Sequence, residues 1–301
     1  MKKWLAVLIA LVNIAAAMTG FGFPAPSNPF LPPAPTPETE IPAGAYRIAS
    51  FNVKNAGDGE NRWENRTVLV ADTLKTLMPD CFGLQEAHLG WITTLLYQMP
   101  HYGYTGVRRR GMDNFAADEQ CPVFYRKDKF RLLDSDTFWL SETPSTPSKS
   151  WDSSVNRICT WAKLEDKSTG FVFVLMNTHF DHIGAQARLN SALLINEKAL
   201  TFDCPVAVTG DFNCRENQAP YLALTAGPLR DVKYAAPDTM AGGSFNGFAG
   251  DGYHYPGSPI DYLFVNAGFS PLRYRIVYGL REGRFVSDHF ALYADMAPAQ
   301  G

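Results

Sequence analysis

Five apolar runs in this chain of 301 residues are tipped with carboxylate, carboxamide or imidazole side chains, and any fold must place those tips. Pro205-Val-Ala-Val-Thr209 runs directly into Gly210-Asp-Phe-Asn213. Arg47-Ile-Ala-Ser-Phe-Asn-Val53 carries Asn52 near its end, and Asp80-Cys-Phe-Gly-Leu-Gln-Glu86 finishes in Gln85 and Glu86. The long run from Phe171 closes with Asn177, His179, Asp181 and His182, while Asp288 and His289 stand just before Phe290-Ala-Leu292. On an extended chain, residues i and i+2 project the same way, so Asp211 and Asn213 share one direction. A single pair of this kind reads equally well as a turn former. Five polar tips on buried strands instead point to one face of a rigid sheet, where sites are built.

Helical stretches alternate with these strands. Residues 61 to 77 show Val68, Leu69, Ala71, Leu74 and Leu77 at helical spacing and stop before Met78-Pro79. Residues 185 to 200 repeat the pattern with Leu189, Leu193, Leu194 and Ala199. Strands alternating with helices predict an α/β layered domain. The 46% hydrophobic content supplies a large core, and a net charge of −3 offers no basic field to recruit nucleic acid.

The ordered set Ser50-Phe-Asn52, Leu84-Gln-Glu86, Asn177-Thr-His179, Gly210-Asp-Phe-Asn213, Ile260-Asp-Tyr262 and Ser287-Asp-His289 resembles the endonuclease/exonuclease/phosphatase superfamily. That group includes deoxyribonuclease I, apurinic endonucleases, neutral sphingomyelinases and inositol polyphosphate phosphatases. The segment around Thr137-Phe-Trp-Leu-Ser-Glu-Thr-Pro144 looks like a secreted bacterial branch of it. The resemblance implies a four-layer sandwich, two packed mixed β-sheets flanked by helices, with the site at one end.

It also implies roles. Glu86, Asn52 and Asp288 become the metal ligands, and their oxygen donors suit Mg²⁺, with Mn²⁺ or Ca²⁺ as alternatives, rather than zinc. His179, Asp211, Asn213, Asp261 and His289 become the catalytic set, with Asp261 holding His289, and with Asp211 and His289 unranked as proton acceptor. Tyr125, Arg157, Asn177 and His182 become substrate contacts, Arg157 because a guanidinium grips two oxygens at once. Arg108-Arg-Arg110 is either a grip on a polyanion or a solvated cluster, and Phe245, Phe248, Tyr253 and Tyr255 either line a pocket or cap a loop.

The function expected on these grounds is a metal-dependent phosphodiesterase in which activated water attacks phosphorus in line. The alternatives are a phosphomonoesterase acting on inositol or sugar phosphates, and a non-catalytic binding member of the family. The partner is a phosphate ester, whether nucleic acid, phospholipid head group or phosphorylated sugar, and no feature points to a protein partner. Residues 1–20 read as a signal peptide (Lys2-Lys3, an apolar stretch, then Ala15-Ala-Ala17), residues 21–45 as a Pro-rich spacer, and 46–297 as the catalytic domain. Such a leader implies a secreted or periplasmic protein. Its five cysteines leave at least one thiol free, and those within apolar runs read as inert.

Overall fold

Parallel neighbours in a sheet need a crossover connection, usually a helix, and this chain makes two. A computed structural model describes residues 40–111, 118–253 and 255–300. The leader segment and most of the Pro-rich spacer lie outside the described residues. Strand β1 (Tyr46–Asn52) passes through helix α1 (Trp63–Leu77) to β2 (Cys81–Gln85), which pairs with β1 in parallel. Strand β7 (Val172–His179) passes through α3 (Ala185–Leu200) to β8 (Val206–Asp211), again in parallel. All other pairings between strands are antiparallel.

The remaining elements extend these two units. Helix α2 (Leu89–Gln98), β3 (Tyr102–Thr105), β4 (Val123–Arg126), β5 (Phe130–Trp139) and β6 (Ile158–Asp166) lie between them in sequence. After β8 come α4 (Ala219–Ala226), β9 (Arg230–Asp231), α5 (Val232–Ala235), β10 (Asp261–Val265), β11 (Phe269–Ile276) and β12 (Leu292–Pro298). They form two six-stranded sheets, ordered β11-β12-β1-β2-β4-β3 and β5-β6-β7-β8-β10-β9. This is the expected sandwich of mixed sheets.

Strand alternation decides which side chain enters which layer. Ile48, Phe173, Leu175, Ala207, Leu263 and Leu292 meet between the sheets. Their alternate neighbours Ala49 and Phe51 pack with Leu74 and Trp91 under α1 and α2, while Val174, Met176 and Val208 pack under α3 with Ile195. The middle layer is thus closed on both faces, and α1 and α3 each cover one outer face. The helical stripes match the expected ones in part. Leu69, Ala71, Leu74, Leu77 and Ala199 are buried, whereas Val68 and Leu193 are about half exposed, and α3 also buries Ala187, Ser191, Ala192 and Ile195. Small residues let that helix lie close on its sheet. All five cysteines are free; four are buried, and burial pushes the thiols of Cys121 and Cys214 up to about 12.

Near one end the sheets approach closely. A Cβ on Gly83 would lie 2.2 Å from the Asn177 amide oxygen, so glycine is required there. Asn177 accepts from Gln85 Nε2 (2.6 Å) and donates to the carbonyls of Leu84 (2.7 Å) and Pro122 (3.0 Å). This polar rivet ties β2 to β7 just beneath the strand tips.

Candidate active site

The C-terminal tips of β1, β2, β7 and β8 and the N-terminal tips of β10 and β12 surround one cleft of about 430 Å³. Glu86, Arg157, His179, His182, Asp211, Asn213, Asp288 and His289 line it. Asn52 and Asp261 stand directly behind. The Asn52 amide donates to Glu86 Oε1 (3.1 Å) and to Asp211 Oδ2 (2.9 Å), joining the two sheets' carboxylates through one side chain. Asp261 Oδ2 accepts from His289 Nδ1 (2.8 Å) and from the Ser244 hydroxyl (2.6 Å).

Two expected contacts are not at the cleft. Tyr125 lies opposite Cys81, at the far end of β2 from Glu86. Its phenol stands over Gly103, and four residues of strand, about 13 Å, separate that level from the tips. Asn177 shares a face with His179 but sits two residues deeper, fully buried in the rivet described above. Asp181 does not face a ligand either. It accepts from Ser154 Oγ (2.6 Å) and from the backbone N–H groups of Ile183 (3.0 Å) and Gly184 (2.7 Å), fixing the loop that presents Arg157 and His182.

Two charged cleft residues, Lys54 and Glu119, were not anticipated, nor was Asn55 between them. The Lys54 ammonium lies 3.1 Å from Asp288 Oδ2; Asn55 donates its backbone N–H to Glu86 Oε2 (2.9 Å) and its amide to Glu119 Oε1 (3.1 Å). The available signal for Lys54 was a positive charge two residues past Asn52. Glu119 announces itself by no local pattern. Lys54, Glu86 and Asn213 all adopt positive φ (56°, 59° and 47°), a conformation that costs side-chain-bearing residues energy and clusters at functional sites.

Electrostatics separate the groups. Burial and then Asp261 push the Asp211 carboxyl up to about 7, against the opposing pull of His289 and the N–H groups of Asn213 and Asn52. Burial alone would lower His289, but Asp261 and Asp211 outweigh it and raise the imidazole to about 10. His179 goes the other way: burial, then Arg157 and cationic His289, hold it well below the ordinary histidine value. The Asn213 amide donates to His179 Nε2 (3.1 Å), which assigns the ring proton to Nδ1, and Nδ1 is buried without a partner. The centre therefore offers an imidazolium, a neutral N–H donor and a carboxylate balanced near neutrality.

A raised histidine stabilises the fold fully below its unfolded pKa and loses that contribution as pH climbs through the folded one. Without metal, the stability drawn from His289 is expected to fall between pH 6.5 and about 10. One proton sets a limiting slope of about 1.4 kcal/mol per pH unit. Urea unfolding at several pH values across that window checks this, and His289→Asn should flatten the profile.

Two groupings could attract a cation. Ligand atoms of Asp211, Asp261 and His289 all lie within 4.8 Å of one another. That trio is filled from within, because His289 bears the charge and its Nδ1 is spent on Asp261. Glu86 and Asp288 fit a hard divalent ion better, through carboxylate oxygens, while Asn52 holds Glu86 by its Nδ2 and turns its Oδ1 to the Lys54 N–H. Burial opposes ionisation of Glu86, yet Lys54, the Asn55 N–H and the Asn52 amide bring its carboxyl below the usual range. Lys54 already places one cationic group against Asp288, a stand-in for the charge this corner attracts.

One residue holds this corner together. Arg66 is fully buried, and its guanidinium donates to the carbonyls of Asn61 (2.7 Å), Val53 (2.7 Å), Lys54 (2.7 Å) and Val286 (3.0 Å). It thereby clips the β1–α1 loop to the segment that carries Asp288 and His289. Arg66→Met orphans these acceptors and is expected to cost at least about 3 kcal/mol, read from the shift in the urea midpoint.

The comparisons agree with this geometry. Residues 49–289 match the model of the Endonuclease/Exonuclease/phosphatase family. The chain belongs to that family, whose members are phosphoester hydrolases that generally depend on a divalent cation. A Bacteroides thetaiotaomicron protein of the same family is 34% identical with a TM-score of 0.78, over 85% of this chain and 98% of its own. A mannosyl-6-phosphatase from Bacteroides thetaiotaomicron is 36% identical with a TM-score of 0.77, over 84% and 99%. Nocturnin of Drosophila melanogaster is 24% identical over 64% of this chain and 31% of its own. The chain spans less than two thirds of the length of the curated relatives it matches.

Proposed function

We propose that this protein is a divalent-metal-dependent phosphomonoesterase that releases phosphate from a phosphorylated sugar. The observation that carries the reading is the charge distribution in the cleft. Glu86 and Asp288 mark an anionic corner, and Arg157, His179 and cationic His289 supply donors around it. A terminal phosphoryl group has three free oxygens, which suits bidentate Arg157 and the Nε2–H of His289, with neutral His179 packed beside them. The likeness to a mannosyl-6-phosphatase over 84% of this chain favours the monoester over the phosphodiester expected from the motifs. Export through residues 1–20 remains part of the proposal.

Glu86 and Asp288 would hold the cation, with Asn52 orienting Glu86, and the cation would supply charge neutralisation at the phosphoryl oxygens. Asp211, poised near 7, takes a proton from water as the water oxygen attacks phosphorus. His289, kept cationic by Asp261, stabilises the charge that builds on the phosphoryl oxygens and is the acidic donor at hand when the phosphorus–oxygen bond to the sugar breaks. Asn213 orients His179 and, through its backbone N–H (2.9 Å), Asp211.

Hydrolysis of p-nitrophenyl phosphate and its bis ester in Mg²⁺ tests this choice. The monoester is expected to be preferred in kcat/KM; clear preference for the diester would return the protein to the phosphodiesterases.

A further inference from the structure

We propose that Arg109, Glu119 and Phe245 form a polyol subsite in the same cleft and select a sugar ring as the leaving group; this rests on the phosphomonoesterase reading. Arg109 Nη1 donates to Glu119 Oε2 (2.6 Å), and both side chains are only about 15% exposed. Both line the cleft that holds Glu86 and His179.

The pair is fixed relative to the chemistry from two directions. Glu119 Oε1 accepts from Asn55, whose backbone N–H holds Glu86. The Arg109 carbonyl accepts from Trp139 Nε1 (2.6 Å) and from the amide of Asn156 (3.2 Å), the residue before Arg157. An aromatic wall completes the cleft. Phe245 is 50% exposed, and its ring stands edge-on to His289 at 5.0 Å.

Arg109 Nε is enclosed 3.7 Å from Asp118 Oδ1, so a ligand in the cleft meets the rest of the Arg109–Glu119 pair. A guanidinium beside a carboxylate offers donors and acceptors side by side. Adjacent hydroxyls, each both donor and acceptor, match that pattern. The apolar C–H face of a pyranose matches an exposed phenyl ring. Glu119 and Asp118 offset the charge of Arg109, so a second phosphate gains little here. A lipid tail would leave the buried ion pair unsolvated.

The test compares kcat/KM for glucose, mannose and fructose 6-phosphates with p-nitrophenyl phosphate, which lacks the hydroxyls, using the full chain in Mg²⁺. In Glu119→Gln, which keeps the shape, and in Phe245→Ala, the ratio of the best sugar phosphate to the aryl phosphate is expected to fall at least about tenfold. Guanidinium unfolding midpoints of the variants establish that they fold. A ratio unchanged while both rates fall together overturns the subsite, leaving Glu119 a support for Glu86. Wild-type turnover of the aryl ester with none of the sugar phosphates overturns it together with the sugar substrate, and leaves the monoesterase chemistry standing. Wild type inert toward every monoester overturns that reading itself.

Discussion

His289→Asn is expected to lower kcat on a phosphomonoester by about 10²–10⁴-fold, with a much smaller change in KM. The asparagine amide fits the space but can neither carry the imidazolium charge nor donate an acidic proton. Asp261, fully enclosed and bonded to both His289 and Ser244, would then face an uncharged partner. The same substitution removes a positive charge beside Asp211, which otherwise draws that carboxyl down from its buried value. Asp211 should therefore titrate higher in the variant. Residual activity should rise toward more alkaline pH than in wild type, and a pH–rate profile of kcat/KM reads both effects together. An unmoved profile with a modest loss of rate would place His289 outside the chemistry.

Glu86→Gln carries the second large effect, on the cation. The glutamine retains an acceptor oxygen and replaces the other carboxylate oxygen with a donor, which would meet the Asn55 N–H head on. Loss of the charge also leaves Lys54 leaning wholly on Asp288. Substituting groups that only support metal ligands typically costs 10–100-fold in affinity, so a ligand itself should cost at least about 100-fold. Titration calorimetry with Mn²⁺ gives the number directly, independent of turnover. Lys54→Met gives a useful contrast, because removing the resident ammonium should not abolish binding if Glu86 is the anchor.

Much of this centre is legible in the chain because the information is local. Alternation sorts each strand into two layers, and the polar tips of β1, β2, β7 and β8 fall at one end once both parallel units are drawn with their crossover helices. The pairing of Asp261 with His289, 28 residues apart, follows from the family motifs and not from any local pattern. The misplaced residues fail for geometric reasons. Asn177 and His179 share one face by strict period, yet a step of two residues separates a buried rivet from a cleft donor. Tyr125 depends on the register of β4 against β2, which its own sequence does not encode. Glu119 and Arg109 meet because one β-bridge closes residues 108 and 120 onto each other, a contact without a sequence signature. The buried face of α3 is legible only at Ala199, because helical spacing marks leucines, whereas the tight approach to the sheet is made by Ala187, Ser191 and Ala192.

The most direct test is phosphate release from a hexose 6-phosphate by the full chain, measured with Mg²⁺, after chelation with EDTA, and after Mg²⁺ is restored. Turnover is expected that EDTA abolishes and Mg²⁺ recovers, and that falls steeply in both Glu86→Gln and His289→Asn. Turnover indifferent to chelation, or wild-type turnover matched by both variants, would contradict it.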